Sequence, residues 1–172
     1  MTTIHKRWIL NGLLLLLVVA LLAVIIQTLN PPRVARDSLY DKRMGDEIVS
    51  IRIHRQSQTA KNIVLEKASG KWMMKTPIQA AVDERKIKHL MTLLSETIDA
   101  RYSVKGKKLS VFGLEKPQAS IAFNGVEIQF GSLNPVSHKR YLRKGATIYM
   151  VAETIYGALL NNADSFMQKN SN

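Results

Sequence analysis

The feature that most constrains this chain is Ile9–Leu29, ILNGLLLLLVVALLAVIIQTL, a run without a single Asp, Glu, Lys or Arg. At about 1.5 Å per residue, a helix over Ile9–Ile26 would reach roughly 27 Å. That length is close to the ~30 Å hydrocarbon core of a bilayer. A helix also satisfies its own backbone hydrogen bonds there, as an irregular segment cannot. The run therefore predicts one transmembrane helix, with everything behind it a polar domain held at a membrane surface. A buried core helix is a poor match for a stretch this long and uncharged.

The flanks favour an anchor over a disposable signal. Residues 1–8 form a basic head containing His5, Lys6 and Arg7, and Trp8 stands where an interfacial aromatic is favoured. The apolar run exceeds the 7–15 residues of a typical signal core, and no small residues are placed for cleavage near Gln27-Thr28-Leu29-Asn30. A cleaved signal is the alternative; lipoprotein processing is excluded because the chain has no cysteine. Counting Arg33, Arg36, Lys42 and Arg43 would keep the following domain in the cytoplasm. Long domains, however, translocate largely regardless of charge, and a short basic head is the usual start of an anchor with its N-terminus inside. The expected location is an inner membrane, with the domain on its outer side.

After the anchor about 140 residues remain, enough for one ordinary domain with its own core. Lys and Arg total 25 against 13 Asp and Glu, a net charge of +12. Such an excess draws nucleic acid, anionic lipid or acidic surfaces. Nucleic acid is disfavoured by the anchor, by an aromatic content of 6% and by the lack of any recognition-helix, zinc-finger or RNP-type pattern. Attraction to anionic headgroups, at about 1 kcal/mol per well-placed Lys or Arg, is the simpler account. Plain solvation of charged faces explains the excess equally well.

Asn30-Pro31-Pro32 stops the first helix, since proline lacks an amide donor and disfavours helix before it. Residues 30–46 read as a polar linker with Leu39 and Tyr40 as a docking point, and residues 47–165 as the soluble domain. Val49, Ile51 and Ile53 alternate with Ser50, Arg52 and His54, the period of a half-buried strand. A turn at Gln56–Ala60, a strand at Asn62–Lys67, a turn at Ala68-Ser69-Gly70 and a strand at Lys71–Thr76, closed by Pro77, complete a meander. Asp83 caps a helix whose apolar stripe is Ile87, Leu90, Met91, Leu94 and Ile98.

Arg101–Ser110 reads as a basic connector turning at Gly106. A second meander comes next: Ala119–Phe123, the Asn124-Gly125 hairpin turn, Val126–Phe130, a loop at Gly131–Pro135, then His138–Arg143 and Thr147–Ala152 around Lys144-Gly145. A short helix within Glu153–Leu160 and a polar tail at 166–172 end the chain. The expected fold is α+β: a transmembrane helix, then two antiparallel meanders each followed by a helix, a loose ββ(β)α duplication.

Little in this pattern points to a reaction. His5, His54, His89 and His138 fall in separate elements without metal-ligand spacing, so no metal site is expected. Asp83 with Glu84, and Glu96 with Asp99, sit at helix ends, where capping explains them better than acid–base chemistry. No nucleophile motif and no glycine-rich phosphate loop appears. The residues predict no catalytic group and no cofactor. Trp72 with Met74, and Phe130, Tyr141 and Tyr149, read as packing residues. The best candidate contact surface is two basic runs, one with Arg101, Lys105, Lys107 and Lys108, the other with Lys139, Arg140, Arg143 and Lys144.

Gly70-Lys71-Trp72, then Pro77, Asp83 and an amphipathic helix, resembles a bacterial family called domain of unknown function 4340. So do Phe112-Gly113-Leu114-Glu115-Lys116-Pro117, the later Gly131, the Tyr141-Leu142-Arg143 strand and Ile148-Tyr149-Met150-Val151. The central family motif is usually Tyr-Gly-Leu-Asp-x-Pro; Phe112 and Glu115 depart from it conservatively. The resemblance spans roughly Glu47–Leu160. Gly113 would permit a tight turn, Leu114 would plug the core, and Pro117 would fix entry into the next strand. The resemblance implies membrane anchoring and company with auxiliary components of ABC-type transport systems, and it brings no catalytic residue. The expected role is a single-pass accessory or scaffold subunit binding another envelope protein. The alternative is a module binding an acidic envelope polymer or anionic lipid through its basic runs, which salt would weaken steeply.

Overall fold

Alternating apolar and polar side chains build the sheet that organises this domain, because successive residues of a strand face opposite sides. A computed structural model describes residues 8, 11–22, 39–40, 47–56 and 62–168. The chain divides into two units, residues 1–36 and residues 37–172. In the first, residues 11–22 form helix α1, whose side chains are exposed throughout. The rest of the expected Ile9–Leu29 span lies outside the described residues, as do most of the linker and the turn at 57–60. Among the described residues no helix is long and apolar enough to cross a membrane.

The second unit is α+β. Its strands are β1 (Ser50–Arg55), β2 (Ile63–Ala68), β3 (Lys71–Thr76), β4 (Ala80–Ala81), β5 (Ile98–Ser103), β6 (Ala119–Phe123), β7 (Val126–Leu133), β8 (Arg140–Lys144) and β9 (Thr147–Val151). They join in one antiparallel sheet ordered β4-β3-β2-β1-β6-β7-β8-β9-β5. Two meanders thus run outward from a central β1–β6 pair, in which Ile51 faces Phe123 and Ile53 faces Ile121. Helices α2 (Glu84–Met91) and α3 (Tyr156–Leu160) belong to the same unit. Ile51, Ile53, Ile121, Phe123, Ile128 and Leu142 from the strands form one core with Ile87, Leu90, Leu93, Leu159 and Phe166.

Several expectations are corrected. The helix opened by Asp83 stops at Met91 and continues as a 3-10 turn over Thr92–Ser95. There Thr92 Oγ1 donates to the His89 carbonyl at 2.7 Å and Ser95 Oγ to the Thr92 carbonyl at 3.0 Å, side-chain bonds that compete with continued helix. Ile98 therefore belongs to β5 and pairs opposite Val151. The first part of the supposed basic connector, Arg101–Ser103, is strand, and the chain turns only beyond it, at Gly106. Gly131–Leu133, expected as loop, extends β7. Val49, expected to share the buried face with Ile51 and Ile53, precedes the strand and is exposed.

The opposite face of the sheet carries a second apolar layer. Leu114 and Ile148 are buried there, outside the main core cluster. A 3-10 turn at Leu109–Phe112 places the Phe112 ring edge-on to Tyr141 at 5.0 Å and 6.1 Å from Tyr102. Gly113 takes φ +65, a left-handed conformation, and a side chain there would sit 2.6 Å from the Ser132 amide nitrogen. Gly131 is tighter still: a Cβ would lie 2.1 Å from the Phe112 carbonyl oxygen and 2.9 Å from Leu114 Cγ. The motif around Gly113 is thus a plug seated on β7, and Gly131 is the floor that admits it.

Substitution tests these contacts. Gly131→Ala should cost about 1–3 kcal/mol by forcing the plug outward, read by urea denaturation. Gly157→Ala is the control: its Cβ would meet nothing within 4 Å, and the substitution should be neutral or stabilise by about 0.4–1 kcal/mol. At the start of α2, Asp83 accepts from the Arg85 amide at 2.9 Å and pairs with the Arg85 guanidinium at 2.8 Å. The Arg85 side chain, then its amide, hold the Asp83 carboxyl below its ordinary value. A folded pKa depressed in this way contributes stability above the unfolded value, near ~3.9, and loses it as pH falls through the folded one. Asp83→Asn keeps a favourable cap, so its deficit against the parent chain should shrink on acidification from neutral pH.

Candidate functional site

The eight basic residues of the two runs meet very different surroundings. Arg140 begins β8 and is buried, with 9% of its surface exposed. Its guanidinium pairs with Glu153, donates to the Gly131 carbonyl at 2.5 Å and stacks 3.5 Å from the centre of the Tyr156 ring. It is a structural tie between β8, β7 and the chain after β9, and not an exposed contact. Lys139, half-buried, pairs with Asp99 of β5. Both cations sit at one end of the sheet, beside acids that neutralise them.

Arg101 and Lys144, from different runs, are brought together. Both lie over the Tyr149 ring, 5.4 and 5.9 Å from its centre, a separation at which a cation is attracted to the aromatic face. Lys144 Nζ also donates to the Leu39 carbonyl at 2.8 Å, holding the segment ahead of β1. Arg143 lies across β7–β8 from Gln129, and its Nε donates to the Gly145 carbonyl at 3.0 Å. Lys105, Lys107 and Lys108 are exposed. Among the described residues no carboxylate lies within ion-pair distance of these three.

Of the structural motif, Gly113 takes a left-handed conformation, and Leu114 is buried on the face of the sheet opposite the main core rather than within it. Trp72 of β3 is buried, and Pro117 stands just before β6. Sequence reasoning missed the second role of Asn124. Its Oδ1 accepts from the amides of Val49 and Ser50, each at 3.0 Å, and its Nδ2 donates to the Glu47 carbonyl at 2.9 Å. The Asn-Gly pair signals a left-handed hairpin turn, which Asn124 and Gly125 supply at φ +47 and +86. Nothing in that signal indicates that the side chain would clasp a distant segment.

Two open grooves lie near these residues. One, of about 360 Å³, is lined by Gly125, Glu127, Gln129, Arg143 and Lys144. The other, about 400 Å³, runs between the β2–β3 hairpin and α2, with Ile48, Trp72, Ile87 and Met91 beside Lys67, Lys88, Glu47 and Glu84. Neither gathers an acid–base pair with a nucleophile. Among the described residues no three His, Asp or Glu side chains could hold a metal ion. Arg55 of β1 is buried, and burial lowers its pKa; its Nη1 donates to the Asn161 carbonyl at 2.6 Å. That makes it a brace for the segment after α3.

The division between tied and open cations can be measured. Arg140→Met should destabilise the fold by about 3 kcal/mol, because it strands Glu153 and the Gly131 carbonyl. Lys107→Met should stay within about 0.5 kcal/mol of the parent. Chemical denaturation of both variants separates the two classes.

A sequence model of the family described as "domain of unknown function (DUF4340)" matches residues 72–171. No curated protein and no solved structure matches the chain.

Proposed function

The chain belongs to the domain of unknown function 4340 family, and from that premise we propose a single-pass, membrane-anchored accessory subunit that binds another protein of the bacterial envelope. The observation that carries this reading is the uncharged run Ile9–Leu29 placed directly before one α+β domain. The run is long enough to span a bilayer as a helix, and the anchor would raise the domain's effective concentration around a membrane partner. The domain lies on the periplasmic side and acts by contact, without catalysis. A transporter-type complex is the partner class that the family resemblance favours.

The domain offers suitable contacts. β4 and β5 are the outer strands of the sheet, and a sheet edge can accept a strand from another chain. The groove beside Trp72 mixes apolar floor with charged rim, as protein interfaces do. The outward run of β1–β4 and β6–β9 from one shared pair supports reading the sheet as a duplicated ββ(β)α unit.

Crosslinking in intact cells, gentle solubilisation and mass spectrometry of the full chain test the reading. The expected outcome is one stoichiometric membrane protein, with deletion of residues 1–29 releasing the domain from the membrane fraction. Absence of any protein partner would overturn the subunit role, and a full chain that fractionates away from membranes would overturn the anchor.

A further inference from the structure

Two Asn-Gly pairs occur in the chain, Asn11-Gly12 and Asn124-Gly125. This dipeptide loses its side-chain amide more readily than other Asn pairs, because glycine has no side chain to shield its backbone nitrogen from the neighbouring carboxamide carbon. Asn11 lies within α1. Asn124 and Gly125 instead make a two-residue turn, in which Gly125 is exposed and a Cβ on it would meet nothing within 4 Å. Among the described residues no backbone carbonyl accepts from the Gly125 amide. The nitrogen that would attack is therefore open to water.

The carboxamide is held. Its Oδ1 accepts from the Val49 and Ser50 amides at 3.0 Å each, and its Nδ2 donates to the Glu47 carbonyl at 2.9 Å. Ile48, between these residues, is buried in the core cluster, so the clasped segment is packed in place. Deamidation asks something else of that carboxamide. The Gly125 nitrogen, stripped of its proton by hydroxide, must bond to Asn124 Cγ. The Cγ–Nδ2 bond then breaks, and Nδ2 leaves as ammonia with a proton taken from water. The product is a succinimide ring, which water opens to aspartate or to isoaspartate, the latter with the main chain rerouted through Cγ. No oxidant, reductant or cofactor enters. Ring closure has to turn the carboxamide toward Gly125 and so out of the clasp, and loss of Nδ2 ends the bond to Glu47 outright.

We infer that Asn124 is a deamidation site gated by its own clasp: it reacts when residues 47–50 lift from the hairpin turn, and the product holds them from full return. Local openings of this kind are ordinary in folded proteins. Aspartate at position 124 still accepts from Val49 and Ser50, but it has no donor for the Glu47 carbonyl and sets a charged oxygen against it. Isoaspartate goes further, adding a main-chain atom to a turn that spans only two residues between the paired Phe123 and Val126. A reversible opening is thereby converted into a lasting one.

The full chain is incubated in detergent micelles at mildly alkaline pH, folded or in urea, and peptide mapping follows the mass gain at residue 124 apart from that at residue 11. Folded chain should react at residue 124 about a hundredfold more slowly than chain in urea, which is ~3 kcal/mol at 1.4 kcal/mol per tenfold and the scale of three hydrogen bonds. Two variants loosen the clasped segment without touching Asn124. Lys67 Nζ pairs with the Glu47 carboxylate at 2.6 Å, and Glu47→Ala and Lys67→Met each remove that pair. Each should raise the folded-state rate about twofold to fivefold, as fits an exposed pair, while keeping the parent's denaturation midpoint. The two change local charge in opposite directions, so an effect of charge alone on the Gly125 nitrogen would move them apart. In the separated reacted chain, the Val49 and Ser50 amides should exchange hydrogen faster than in the unreacted chain. Equal rates folded and in urea, or variants that part from each other or stay at the parent's rate, overturn the gate. Unchanged exchange at Val49 and Ser50 overturns the lasting release.

Discussion

The fold depends on the backbone pairing of β1 with β6. Ile51–Arg55 meets Ala119–Phe123, two segments far apart in the chain, and that ladder turns two meanders into one sheet. Without it each meander would expose an edge and part of a core. With it, Ile51, Ile53, Ile121 and Phe123 stand at the centre of a continuous apolar face that the helical segments share. Such long-range pairing carries a loop-closure cost before any contact rewards it, so this part of the structure belongs to the slower steps of folding. Local hairpins such as β6–β7, closed by a two-residue turn, can form ahead of it.

A second constraint acts on the other face. Gly131 lets the Phe112 carbonyl and Leu114 approach a strand more closely than any side chain would allow. The stretch from Leu109 to Leu114, which composition alone would assign to loop, becomes a cover whose Phe112 ring reaches Tyr141 of β8 and Tyr102 of β5. The basic stretch after β5 is held at both of its ends in consequence. It must meet Ala146 through Val104 on one side and the Gly131 floor through Phe112 on the other.

Much of this is legible from residue order. β3 has the limits its residues predict, Asp83 caps its helix, and Asn124-Gly125 makes the turn its dipeptide foretells. One misreading has a clear physical source: a local period that two structures can use. Ile98 continues the helical stripe of Leu90, Met91 and Leu94, yet Ile98, Ala100 and Tyr102 also alternate as a strand, and pairing with β9 decides. Arg140 illustrates a different limit. Its neighbours Lys139 and Arg143 give it the look of a surface charge, whereas Glu153 and Tyr156, which draw it inward, lie beyond that basic run. Charge is visible in a sequence; which charges are already spent is decided by partners brought together only by the fold. The membrane run is legible as composition, and its role belongs to the proposed reading.

The clasp made by Asn124 has a mechanical consequence. A pull applied to the chain ahead of Glu47 is transmitted to β1 at the end where that strand begins, along its own axis. β1 is bonded on both flanks, to β2 and to β6. Its ladders would be loaded together, in shear, and could not be peeled one bond at a time. Behind the Lys144 bond to the Leu39 carbonyl and the Tyr40 amide bond to the Leu94 carbonyl, the three hydrogen bonds to Asn124 stand next in line. A domain strung between a tether and a partner would therefore yield last at the strand through which the tension enters.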